Sequence, residues 1–167
     1  MIKNLTSLIG LGFVVVAMNS HAIAESGASW ESTTAVMAEI DITETGEGAK
    51  VFSYKNHGFL LSAAEGDGVM TCTGGGVITD AGTMLRLACE ITDRDGDKRY
   101  LLVDRSAKDA FAEGQGYLKS AGGTGKHANR KYECHYEFSY MPKIADLPYA
   151  PVVTANMCTG DLPGVAE

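Results

Sequence analysis

Short runs in which apolar and polar residues alternate dominate the chain, with the period of two expected of strands that bury one face. Between Thr34 and Thr43, Val36, Ala38, Ile40 and Ile42 fall on one side and Met37, Glu39 and Asp41 on the other. "TETGEGAK" turns the chain into "VFSYKN", and after "HG" a separate strand is expected from "FLLSAA", ending at "EGDG". The clearest hairpin is "VMTCTGGGVIT", "DAG", "TMLRLACEIT", whose returning strand sets Leu85, Leu87, Cys89 and Ile91 on one face. "KRYLLVDR" predicts a short strand, and another follows from about Gly114 to Lys119. The cleanest alternation places Tyr132, Cys134, Tyr136, Phe138 and Tyr140 together, with Lys131, Glu133, His135, Glu137 and Ser139 opposite. A proline-bounded loop, "MPKIADLPYAP", leads to a last strand, "VVTANMC".

Long helical periodicity is missing. About eight strands at hairpin spacing, without an internal repeat, predict an all-β domain: an antiparallel up-and-down barrel, with a β-sandwich as the alternative. The barrel is preferred because closing the sheet leaves no exposed edge.

The four cysteines fit that hairpin scheme. A short loop centred on Ala81 puts Cys72 beside Cys89 or one position away, and a centre near Asp146 brings Cys134 close to Cys158. Two disulfides, Cys72 with Cys89 and Cys134 with Cys158, are therefore expected. The absence of a C-x-x-C pair argues against a zinc knuckle or a dithiol redox site.

The N-terminus supplies the compartment. "MIKNLTSLIGLGFVVVAMNSHAIAE" has one positive residue, Lys3, an apolar stretch from about Leu8 to Met18, and a small-x-small site at Ala22-Ile23-Ala24. That is a cleavable secretory leader over residues 1–24, and its apolar stretch falls short of the roughly 20 residues of a comfortable membrane span. The barrel is then expected over residues 25–160 and a loose tail over 161–167, in the periplasm or the medium, with no stable membrane insertion after cleavage. A formal net charge of −7 over 167 residues makes nucleic acid and anionic lipid poor partners.

"GYLKSAGGTGKHA", together with the "CTGGGVITDAG" hairpin and the "DRDGD" turn, resembles the small exported barrels of the allene oxide cyclase and dirigent type. The resemblance spans roughly Gly68 to Tyr140, and the chain departs from the pattern after Lys126, at His127-Ala128-Asn129-Arg130. It implies a barrel around an apolar cavity that in some members binds a small molecule or guides a cyclisation. It implies no catalytic residue here.

Several motifs compete for the chemistry. "GGTGKH" lacks the first glycine and the terminal Ser or Thr of a phosphate loop, with Ser120 and His127 in those places. Asp93, Asp95 and Asp97 match the first oxygen positions of an EF-hand loop, but Lys98 stands where that loop needs glycine and strands flank it, so a polar turn is favoured over a calcium site. Of the histidines, His135 lies on the charged face of its strand, whereas His57 and His127 sit beside glycines near expected barrel mouths. The aromatic face of Tyr132, Tyr136, Phe138 and Tyr140 is the best candidate for a ligand lining, with Tyr100 as an addition. Asp104 joins that interior as a candidate acid or base if Tyr100 and Leu102 point inward. The opposite phase buries Leu101 and Val103 and leaves Asp104 in solvent.

The reading that results is non-catalytic binding of a small, partly apolar ligand, without a cofactor. A cyclase or isomerase using Asp104 is the alternative, and a structural or protein-binding barrel with a filled core is a third. Oligomeric state stays open at this stage.

Overall fold

The computed structural model describes residues 27–46, 48–109, 111–142 and 150–162. The expected leader and most of the expected tail lie outside the described residues. So does the centre of the proline-bounded loop.

Eight antiparallel strands close into an up-and-down barrel in chain order. They are β1 (Ala28–Glu44), β2 (Lys50–Leu61), β3 (Gly68–Thr79), β4 (Gly82–Asp93), β5 (Lys98–Ala107), β6 (Gly114–Gly123), β7 (Tyr132–Tyr140) and β8 (Ala150–Gly160). A short 3₁₀ turn, Gly125–His127, lies between β6 and β7. Closure comes from β1 pairing with β8, from Ala28 opposite Gly160 to Ala38 opposite Ala150.

One expectation changes. "VFSYKN" and "FLLSAA" belong largely to one strand, because His57-Gly58 continues β2 and does not turn. Gly58 permits this: a Cβ there would lie 2.0 Å from the Ala35 carbonyl oxygen of β1, so only glycine lets the two backbones approach so closely.

Both disulfides are present, each between residues directly opposite in register, Cys72 with Cys89 and Cys134 with Cys158. They point into the barrel and pin the phase of neighbouring strands, since residues opposite each other in an antiparallel pair share a face. Leu101 lies opposite Cys89, so Leu101 and Val103 face inward. Leu118 is inward because it lies opposite Cys134. Two disulfides fit an oxidising compartment. No helix among the described residues is long and apolar enough to cross a membrane.

The loops sort to two ends. The β2–β3, β4–β5 and β6–β7 connections share one end with the start of β1, and the β3–β4 and β5–β6 connections share the other. At the first end Asp161 donates its amide to the Lys131 carbonyl (3.0 Å) and accepts the Lys131 amide on its carboxylate (2.9 Å), fixing the chain just past β8.

Candidate functional site

The inward side chains give the lumen two unlike walls. Leu85, Leu87, Leu101, Val103, Leu118 and the two disulfides form an apolar side on β3 to β8. On β8, β1 and β2, which are neighbours through the closure, Ser32, Thr34, Asn56, Thr154 and Asn156 form a polar stripe. Its members satisfy one another: Asn156 donates to the Ser32 carbonyl and hydroxyl (both 3.2 Å), Thr154 donates to Asn156 (3.2 Å), and Thr34 meets Thr154 hydroxyl to hydroxyl. Asn56 accepts the Cys72 amide at 3.0 Å. Between the walls lies a cavity of about 100 Å³. Ordinary ligand pockets run from roughly 300 Å³ upward, so any occupant is compact.

Tyr132, Tyr136 and Phe138 are buried along β7 and Tyr140 is half-buried, all four on the lumen side. Tyr132 packs edge-on against Trp30, with ring centroids 5.4 Å apart. Burial, with Glu65 adding to it, raises the Tyr132 hydroxyl far above the usual phenol range. Burial likewise pushes Tyr136 up to about 12, with the Arg105 charge opposing the shift.

Tyr100 and Asp104 take the other phase. The register that puts Leu101 opposite the disulfide-bonded Cys89 turns Tyr100 outward beside Glu90 and Asp104 outward beside Arg86. Asp104 accepts a hydrogen bond from Arg86 Nε at 2.8 Å on the exposed surface. Neither residue lines the lumen, so the sequence-based alternative that buried Asp104 is replaced by the phase that leaves it in solvent.

That phase carries two arginines inward, which the sequence reading missed. Arg99 and Arg105 stand at opposite ends of the inward row of β5, both buried. Arg99, beside a register shift between β5 and β6, forms an ion pair with Glu65 at 3.3 Å and donates to the Gly66 carbonyl at 3.0 Å. Glu65 reaches inward because its loop is tied back: Ser62 accepts the Glu65 amide on its hydroxyl (3.1 Å) and the Gly66 amide on its carbonyl (2.9 Å). The signal available in the sequence was the alternation itself, since an inward Leu101 and Val103 require an inward Arg99 and Arg105.

The aspartate turn is tied to the glycine turn. Asp93 ends the inward row of β4 and is buried; its carboxylate accepts the amides of Asp95 (2.9 Å) and Asp97 (3.0 Å), the Lys126 ammonium (2.8 Å) and His127 Nε2 (2.9 Å). Asp95 also accepts from Lys126, and Asp97 accepts the Lys126 amide at 3.1 Å. The cation held between Asp93 and Asp95 is thus the chain's own lysine. Burial pushes the Asp93 carboxyl up, but these donors outweigh it and hold the group well below the usual carboxylate range. His127 is buried, and burial holds its imidazole below the ordinary value despite Asp93. His57 and His135 are exposed on the outer face, His135 edge-on to Tyr117.

No protein-family model matches the chain, and no curated protein matches it in sequence. Among solved structures, a pterocarpan synthase dirigent protein aligns with 85% of this chain and 90% of that chain, at 12% identity and a TM-score of 0.47.

Proposed function

We propose that the protein is an exported barrel that binds a compact, partly apolar small molecule in its lumen and does not transform it. The observation that carries the reading is the unfilled cavity of about 100 Å³ between an apolar wall and a polar stripe. A filled structural core would close that space with side chains, because interiors pack to crystal density. The lining that does the work is Tyr132, Tyr136, Phe138 and Tyr140 with the polar stripe opposite. The leader over residues 1–24 delivers the chain to the periplasm or the medium, where its disulfides form.

A second reading, a cyclase or isomerase, has one observation in its favour: a buried carboxylate, Glu65, lines the same lumen as Tyr132 and its charge raises the Tyr132 hydroxyl. Glu65 is committed to Arg99, and the hydroxyl is held far from ionisation at neutral pH. That pair is therefore better suited to holding shape than to moving protons.

Native mass spectrometry of protein purified from its own compartment separates the readings. Binding predicts a retained molecule of constant mass. A mass that changes on incubation, and stops changing in Glu65→Gln, supports the enzyme, and bare protein in repeated preparations overturns both.

A further inference from the structure

The two buried arginines of β5 are not equivalent. Arg99 has Glu65 as its counter-charge. Arg105 is 6% exposed and has no carboxylate within ion-pair distance among the described residues. Its guanidinium donates from Nη2 to the Ala112 carbonyl at 2.8 Å and lies 4.2 Å over the Phe138 ring, while its Nε–H has no partner.

Nearby carboxylates are engaged elsewhere. Asp104 points outward to Arg86, Asp109 accepts the Phe111 amide at 2.8 Å, and Glu113 accepts the Tyr140 amide at 3.0 Å. A guanidinium keeps its charge at every physiological pH, and a buried charge is costly unless it is paired. Here that charge, unpaired among the described residues, lines the cavity together with Tyr136, Phe138, Tyr140, Leu85 and Val103.

We propose that Arg105 anchors the head of a carboxylate-bearing ligand whose short apolar chain or single ring lies along the apolar wall. A carboxylate fits better than a phosphate. The site offers one free Nε–H and the remaining guanidinium hydrogens, a planar fork matched to two oxygens, and among the described lining residues no second cation to neutralise a dianion. The inference rests on the lumen-binding reading and adds to it the charge and the position of the ligand's head.

The test is calorimetric titration of the intact, disulfide-bonded protein with butanoate and with butanamide, which are small enough for the cavity and differ in charge. Anchoring predicts at least tenfold tighter binding of butanoate, and in Arg105→Met the loss of that preference. Equal binding of acid and amide by the wild type overturns the anchor and leaves the lumen reading standing. So does a preference that survives Arg105→Met. Failure of both probes at millimolar concentration overturns both readings. The wild-type comparison requires no variant, so a poorly folding Arg105→Met does not remove the test.

Discussion

Arg99 and Glu65 meet inside the barrel at 3.3 Å, each side chain 2% exposed. Such a pair stabilises little against a well-packed apolar replacement, but losing one partner strands the other charge in a dry interior. Glu65→Ala is therefore expected to lower the unfolding free energy by about 3–5 kcal/mol. Arg99→Met in the same background should restore most of that loss. Urea denaturation of the two variants checks it; a double variant no more stable than Glu65→Ala would show that the pair does not act as a unit.

The disulfides offer a cleaner magnitude. Cys72 and Cys89 are 17 residues apart, Cys134 and Cys158 24 apart. Under the chain-entropy account each stabilises by about 3 kcal/mol, the longer loop slightly more. Replacing either pair with alanines should shift the denaturation midpoint by a similar amount, and the two effects should add because the bridges close separate hairpins. A strongly unequal pair of shifts would mean that one bridge acts through native packing.

These bridges also mark where the sequence was legible. Period-two alternation and turn centres were enough to place most strands, though not the continuous β2 through His57-Gly58, and to pair Cys72 with Cys89 and Cys134 with Cys158, because hairpin register follows from the turn. The same pattern set Tyr132, Tyr136, Phe138 and Tyr140 on the lumen side. The phase of β5 was not legible from its own residues, since Tyr100 with Leu102 and Leu101 with Val103 are equally apolar rows. It is fixed by Cys89 across the ladder, a contact outside the strand. Arg105 was missed for a related reason: arginine is ordinarily exposed, and only the neighbouring strand turns it inward. Glu65 lay in a loop, where alternation carries no information.

Acid should loosen the end of the barrel where the aspartate and glycine turns meet. His127 is buried against Asp93, with Arg99 and Arg130 adding repulsion, and its folded pKa lies below the ordinary 6.5. The unfolded chain then binds more protons than the folded one below about pH 6.5, so stability is full above that value and falls as the pH drops toward the folded pKa. Asp93, also depressed, adds its own loss only below its ordinary 3.8. The unfolding free energy should therefore decline from pH 7 to pH 5, by at most about 1.4 kcal/mol per pH unit for the one proton, and the melting temperature with it. The decline should flatten in His127→Asn. An equal slope in that variant would assign the acid sensitivity to other groups.

Tyr136 owes its position to Gly116. The two lie opposite each other on β7 and β6, and a Cβ at Gly116 would stand 2.1 Å from both Cζ and the hydroxyl oxygen of Tyr136. The ring lies across the bare glycine, so alanine there must displace it from the lumen wall. Gly116→Ala is expected to cost about 1–3 kcal/mol through overpacking. Because the three atoms nearest that Cβ all belong to Tyr136, adding Tyr136→Ala should cost less than the two single effects summed, by at least about 1 kcal/mol in a double-mutant cycle. Additive effects would mean that the cost of alanine comes from the β6 backbone and that Tyr136 is held without the glycine's help.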